Sequence, residues 1–368
     1  MVPFDFNERP FIVIWEVTRA CALACRHCRA EAQLRRHPLE LNTREALRSV
    51  EQVARAKPGL FVLTGGDPIR RPDLMEIIDH AAGLGLRIGL SPSATAEFCE
   101  VDLKELKRRG VARISLSIDG ASQESHDRFR GVPGTWDLTM RAIRNAAEAE
   151  LPVQINTTFT RQNIGELDGF VDLLKTIRPV LWSVFQLVPT GRGKLDDLLS
   201  GPEMEELFQR LWELSRIATY DIKTTEGQHY RRVVLQNTRN IGALKQRAPI
   251  GVNDGKGFVF VSHVGDICPS GFLPIVAGNV RKDELLEVYQ NHPLFQALRK
   301  PELLKGKCGR CEFRSVCSGS RARAYAMTGD YLAEEPLCIY QPARRLGEEA
   351  RKEHLLAISE ARASVNAG

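Results

Sequence analysis

The sequence predicts an α/β fold built on a parallel sheet, and three observations carry that reading. From Phe11 to about Val188, short apolar β-branched segments alternate with longer amphipathic ones. The intervening segments are long enough for right-handed βαβ crossovers, which parallel neighbours require. Polar motifs recur where the candidate strands end, and parallel sheets carry their functional loops there.

The strands are read at Phe11–Val17, Leu60–Thr64, Leu86–Leu90, Ala112–Ile118, Val153–Phe159 and Leu181–Val188. Helical patterns fill the intervals at Thr43–Ala56, Pro72–Leu84, Asp102–Arg109, Gly134–Glu150 and Glu166–Ile177. Thr43 precedes an acidic first turn at Glu45, and Pro72 stands where a missing N–H costs nothing. Gly83 and Gly110 are natural stops. After Gly201 the pattern changes to a long helix (Pro202–Ala218), a short strand (Asp221–Thr225) and a basic helical stretch, His229–Lys245. From Gly251 it becomes Gly-rich and hairpin-like, with Phe258–Ser262 and Val264–Cys268 flanking a turn. A boundary near 250 is expected, giving segments 1–250, 251–345 and a terminal helix or tail at 346–368.

A length of 368 residues suits one large α/β domain with a smaller one, or two ordinary domains. With 43% apolar and 26% charged residues the chain is neither disordered nor collagenous. The net charge of +5 is dispersed, so no nucleic-acid partner is expected. Phe11–Trp15 and Val180–Val188 are too short to span a bilayer, and no signal-peptide pattern opens the chain. A soluble cytoplasmic protein without a membrane partner is the expectation. There, an odd count of nine cysteines points to metal ligation or redox chemistry rather than disulfides.

Cys21, Cys25 and Cys28 lie within eight residues, directly after the first strand. Three thiolates on one tight loop can hold three irons of a cubic 4Fe–4S cluster and leave the fourth iron open. A structural zinc site closes on four ligands instead. The alternative is a cysteine-rich loop or a zinc site lacking one ligand.

The spacing C-x3-C-x-aromatic-C, with His27 at the aromatic position, resembles the signature of the radical S-adenosylmethionine (SAM) enzymes. The resemblance implies a partial (β/α)6 TIM-like barrel. Its open iron would chelate the amino and carboxylate groups of SAM, and one electron would cleave the sulfonium bond. The resulting 5′-deoxyadenosyl radical would abstract a substrate hydrogen. Gly65-Gly66-Asp67 resembles the family's GGE motif, which meets the methionine amino group, with Asp replacing Glu. Ser117 and Asp119 resemble its cofactor-contacting SxD segment, and Asn156 and Thr158 its ribose-contacting positions on strand five. Arg130 could pair with the methionine carboxylate through a bidentate fork, or be an exposed helix-end arginine. The turn beginning at Val188 resembles the adenine wall after strand six. No catalytic residue beyond these is assigned.

Cys308-x2-Cys311-x5-Cys317, followed by Cys338, supplies four more thiolates, enough for structural zinc or an auxiliary iron–sulfur cluster. The spacing resembles the C-terminal SPASM or twitch extension of the same family, which implies a small iron–sulfur domain with one auxiliary 4Fe–4S cluster. Cys268 is read as a leftover ligand, a substrate-facing thiol or a buried small residue, and Cys99 as a packed or surface thiol. Gly306–Cys311, Ser320–Tyr325 and Pro336–Cys338 resemble the tetrapyrrole-modifying subgroup of haem d1 and alternative haem biosynthesis.

The resemblance therefore implies an oxygen-sensitive enzyme modifying a tetrapyrrole side chain, served by a reduced flavodoxin- or ferredoxin-type electron donor. The alternatives are a maturase of a ribosomally made peptide and, more remotely, a non-catalytic iron–sulfur or zinc module. His229, Tyr230, Arg231, Arg232, Arg321 and Arg323 could pair with tetrapyrrole propionates, or form solvated basic faces. Only about ten residues precede the first strand, which is read as leaving no peptide-recognition domain.

Overall fold

The computed structural model describes residues 4–238 and 251–342. The tail expected at 346–368 and the end of the basic stretch, 239–245, lie outside the described residues.

A single ten-stranded sheet organises the chain, in the order β10-β9-β8-β1-β2-β3-β4-β5-β6-β7. Its strands are β1 (Ile12–Glu16), β2 (Leu60–Thr64), β3 (Ile88–Leu90), β4 (Val111–Ser117) and β5 (Val153–Phe159). They continue with β6 (Leu181–Gln186), β7 (Asp221–Thr225), β8 (Phe258–Val261), β9 (Asp266–Cys268) and β10 (Gly278–Asn279). From β8 through β1 to β7 every neighbour is parallel. The β9 and β10 strands return antiparallel. The six expected strands are joined by β7 on one side. On the other, the first arm of the expected hairpin pairs directly with β1, Ile12 opposite Phe258 and Ile14 opposite Phe260. Chain beyond the expected boundary at 250 is thus hydrogen-bonded into the same sheet.

Alternation along the strands separates two faces. Val13, Trp15, Phe61, Leu63, Ile114, Leu116, Ile155 and Trp182 are almost wholly buried, in one core with helix residues such as Val50, Ile77 and Phe208. The other face carries Ile14, Val62, Ser115, Asn156 and Thr158, which are only half-buried. This two-sided character makes the sheet a partial barrel: helices cover the outside and a polar, accessible concavity remains inside. Trp182 shows how the outer face tolerates a polar atom, since its indole N–H donates to Thr157 Oγ1 at 3.0 Å.

Local capping fixes the helices that face the strand ends. Asn42 and Glu45 form a reciprocal capping box on Thr43–Arg55. Ser122 caps Gln123–Arg130, and Gly131 ends that helix at φ 73°. The Gly131 Cα also lies so close to the first cysteine loop that a Cβ would stand 2.8 Å from Ala24 O. The stop residue therefore seats the helix, and Arg130 with it, against the cysteines.

Candidate active site

The chain leaves β1 at Glu16 and folds over the carboxyl rim of the sheet. Cys21 N donates to Gln33 O at 2.7 Å, Arg26 N to Phe129 O at 3.3 Å, and Arg192 N to Cys28 O at 3.1 Å. These bonds tie the loop to itself, to the Gln123–Arg130 helix and to the turn after β6. Cys21 and Cys25 are buried with Leu23, and Cys28, Ala32 and Val132 pack against them. Burial pushes the Cys25 thiol up, and Arg130 opposes it while Cys28, Asp119 and Cys21 add to it. Cys21 and Cys25 are held largely dry, so positive charge beside them would favour their ionised, ligating form.

Gly65 and Gly66 bring the end of β2 onto this loop. A Cβ on Gly66 would lie 2.6 Å from both Arg19 O and Ala20 O. Asp67 N donates to Ala20 O at 2.7 Å. The Asp67 carboxylate is turned inward and accepts from Thr95 Oγ1 (3.1 Å), Ser93 N (3.3 Å) and Ile69 N (3.3 Å). Burial nonetheless raises it to about 6. Ser93 Oγ in turn lies 3.4 Å from Cys21 Sγ and donates to Gly66 O at 3.0 Å, so Ser93 touches both the glycine turn and the cysteine loop.

At the end of β4, Asp119 is almost wholly buried, and Arg130 Nη1 donates to its Oδ2 at 3.1 Å. Thr158 N donates to Asp119 Oδ1 at 2.8 Å. His27 Nε2 stands 3.9 Å from the same carboxylate, and its ring packs on Phe129 with centroids 4.7 Å apart. Burial, helped by Arg130 and Arg192 and opposed by Asp119, lowers His27 to about 4, so the imidazole is neutral at pH 7. Arg130 is buried beside the cysteines, which excludes the exposed helix-end reading. Ser117 and Asn156 stand side by side in register on β4 and β5, both half-buried on the inner face. Val188 packs into a second apolar cluster with Leu273, Leu294, Leu298 and Ala322.

A separate small cavity is lined by Cys308, Cys311, Cys317 and Cys338 together with His229 and Arg232. Glu335 N donates to Cys308 Sγ at 3.3 Å and Gly319 N to Cys317 Sγ at 3.4 Å. Burial pushes the Cys311 and Cys317 thiols up to about 12, and neighbouring cysteines add to both. Cys268 does not line this cavity; it lies on β9, where burial raises it to about 12. Cys99 is buried and donates to Leu138 O, a packing role.

The guanidinium groups expected to meet substrate carboxylates are engaged elsewhere. Arg321 donates to Tyr331 O and Ala333 O, and Arg323 holds Glu335 at 2.8 Å and donates to Glu226 O. Arg231 donates to Val316 O and Val252 O, and Arg232 pairs with Glu205 at 2.8 Å. Neither solvated faces nor free anion receptors, they knit the second cysteine segment to its surroundings.

Residues 15–174 match the model of the radical SAM superfamily. Over 346 residues the chain is 40% identical to the AdoMet-dependent heme synthase of Methanosarcina barkeri, spanning 92% of this chain and 99% of that one. The chain belongs to the radical SAM superfamily. As a radical SAM enzyme it uses a 4Fe–4S cluster and SAM. It is also 30% identical to the mycofactocin maturase of Mycobacterium tuberculosis, over 95% of this chain and 87% of that one. Its fold is like the crystal structure of Streptococcus suis SuiB bound to precursor peptide SuiA, with a TM-score of 0.70 at 17% identity, covering 90% of this chain and 76% of SuiB.

For this radical SAM enzyme, the structure gathers Cys21, Cys25, Cys28, His27, Asp119 and Arg130 at one rim. It sets Gly66 and Asp67 against the same loop from beneath. Sequence reasoning missed four groups around them. Ser93 was visible only as part of a polar strand end. Arg192, whose buried Nε and Nη2 have no partner, carried only the signal of a Gly-Arg-Gly turn. Glu16 and Arg29, paired at 2.8 Å on the inner face with His263 2.9 Å from Glu16, gave none.

Proposed function

We propose that this radical SAM enzyme forms haem or a haem-like product by modifying the side chains of a tetrapyrrole. The observation that carries the reading is the 40% identity, over nearly the full length of both chains, to an AdoMet-dependent heme synthase. Cys21, Cys25 and Cys28 are assigned as three cluster ligands, and their burial in one small group fits that donor set. His27, Gly65, Gly66, Asp67, Ser117, Asp119, Arg130, Asn156, Thr158 and Val188 are assigned to SAM. When bound, these cofactors supply a 5′-deoxyadenosyl radical that takes a hydrogen atom from the substrate.

The chain's own contribution is placement and shielding. His27 on Phe129 offers a neutral flat surface beside the loop. Asp119 fixes Arg130 and, through Thr158 N, the end of β5. The inner face presents hydroxyl and amide groups at the rim and leaves room inside. On a propionate side chain, loss of one hydrogen atom, then of carbon dioxide and one electron, leaves a vinyl group. That electron goes to a one-electron acceptor.

The four cysteines of segment 251–345 are assigned to one auxiliary 4Fe–4S cluster. Among the described residues no three His, Cys, Asp or Glu side chains converge tightly enough for a single metal ion. The four thiols line one cavity and supply the four thiolates that a 4Fe–4S cluster takes. Nine free thiols suit a reducing compartment, so the cytoplasm is the proposed location, with a reduced flavodoxin or ferredoxin as electron donor. Among the described residues no helix is long and apolar enough to cross a membrane.

The test is anaerobic incubation of the reconstituted enzyme with SAM, a reductant and either iron coproporphyrin or candidate precursor peptides, read by mass spectrometry. Decarboxylated tetrapyrrole with matching 5′-deoxyadenosine is the expected result. A modified peptide with an untouched tetrapyrrole would transfer the reading to the maturases, which are related at 30% identity.

A further inference from the structure

His229 opens the short helix Tyr230–Asn237 and is 1% exposed, yet neither ring nitrogen has a hydrogen-bond partner. A buried imidazole without a partner is costly, and native proteins rarely leave one so. Its ring packs edge-on against Phe208, with centroids 4.7 Å apart, and it lines the cavity that all four C-terminal cysteines line. Arg232, one helical turn on, lines the same cavity with an unpartnered Nε, while its terminal nitrogens hold Glu205 and Gln236.

These observations describe donors facing a space that needs acceptors. An imidazole carries at least one N–H in either protonation state, and cluster sulfides and cysteine thiolates accept hydrogen bonds. A four-cysteine 4Fe–4S cluster carries net negative charge, which grows by one on reduction. Donors aimed at its sulfurs therefore stabilise the reduced form more than the oxidised form and raise the potential. Charges of both signs stand nearby: Arg232 and Lys307 line the cavity, with Lys307 Nζ donating to Cys338 O, and so does the Glu335 carboxylate, which Arg323 holds at 2.8 Å.

Resting on the assignment of an auxiliary cluster to Cys308, Cys311, Cys317 and Cys338, we infer that His229 is a positioning residue that donates an N–H···S hydrogen bond to that cluster and sets its reduction potential. It holds no iron and touches no substrate. Its effect reaches the reaction only through how readily the second cluster accepts an electron.

The experiment is a redox titration of the full-length, reconstituted protein followed by EPR, with iron counted in every sample. In His229→Phe, the second cluster's reduction equilibrium should fall about tenfold, a shift of ~59 mV to more negative potential for one electron. The rim cluster should keep its potential, and His229→Gln, which restores a donor, should recover most of the shift. Wild-type protein labelled with 15N only at histidine should show a nitrogen coupling to the second cluster in pulsed EPR, and this holds whether or not the Phe variant folds. Four irons and one cluster signal in the wild type would overturn the auxiliary-cluster assignment itself. Eight irons with no nitrogen coupling, or with equal potentials in wild type and His229→Phe, would leave that assignment standing and overturn the role of His229.

Discussion

The two cysteine groups are held in opposite ways. Cys21, Cys25 and Cys28 sit on one short loop pinned by backbone hydrogen bonds to three neighbouring segments, beside the buried pair Asp119–Arg130. Cys308, Cys311, Cys317 and Cys338 are drawn from thirty-one positions that include the helix Arg321–Thr328, and they meet around a cavity walled by His229 and Arg232. The first arrangement offers three ligands at a rim that opens on the barrel interior. The second offers four, with the surrounding cations turned to backbone carbonyls and carboxylates. Three thiols are presented by a loop fixed through its backbone, and four by a longer segment fixed through the side chains of Arg321, Arg323 and Glu335.

The largest effect expected from that contrast is functional. Cys25→Ala should lose about four irons per chain and reduce SAM cleavage to background. Cys308→Ala should lose a similar amount of iron yet still cleave SAM to 5′-deoxyadenosine, now without product. Iron assay with chromatography of 5′-deoxyadenosine checks both. Equal loss of cleavage in the two variants would erase the distinction between the sites.

The ion pair beneath the first site gives the next effect. Asp119 and Arg130 are both largely buried. Removing one partner strands the other, at a cost of about 3–5 kcal/mol. Arg130→Met should therefore lower the anaerobic melting temperature and weaken SAM binding more than tenfold. Arg130→Lys should recover stability in part but not binding, because a lysine lacks the planar fork. SAM affinity by equilibrium dialysis decides between a carboxylate receptor and a purely structural pair.

How much of this was readable follows from the same contrast. The strands of the rim are regular, so Leu60–Thr64, Val153–Phe159 and Asp221–Thr225 agree with the sequence reading to the residue. The motifs at their ends, from Cys21 to Asp119, come together because parallel strands share one carboxyl edge. The helix Gln123–Arg130 was not legible, since its sequence is almost entirely polar and lacks an apolar stripe; serine caps and a glycine stop define it instead. Nor was the pairing of β8 with β1, which joins Ile12 to Phe258 and leaves no local pattern. The arginines near Cys317 were misread because their partners are mostly carbonyl oxygens, which every residue carries and no sequence marks. His229 fell into the same basic run, and only its burial against the cavity distinguishes it.

A pH effect separates the rim's supports from its ligands. Burial alone would raise the Glu16 carboxyl, but Arg29, His263 and Arg19 overcome it and hold the group at about 2 against an ordinary 4.5. Because the folded value is depressed, the stabilisation is fully present above about 4.5 and is lost as the pH falls toward 2. Its size is roughly 3 kcal/mol. Wild type should lose about 2 kcal/mol between pH 6 and pH 3 beyond what Glu16→Gln loses, as measured by anaerobic thermal unfolding. Parallel pH profiles would show that Arg29 and His263 do not hold Glu16 ionised.

The smallest effect tests the cysteine that belongs to neither group. Cys268 faces the barrel interior on β9, opposite Phe260 in register, and senses the charges of Arg29 and Glu16 rather than those of another cysteine. Buried on β9 and away from the cavity that Cys308, Cys311, Cys317 and Cys338 line, it behaves as a small apolar side chain. Cys268→Ala should leave the iron content unchanged and cost about 1 kcal/mol of stability, as a small packing loss would. Iron per chain is the sensitive reading, because a ligand's removal would take several irons while a packing loss takes none. A drop in iron would move Cys268 into the second group, and the contrast between an open three-cysteine loop and a closed four-cysteine cavity would need a fifth ligand.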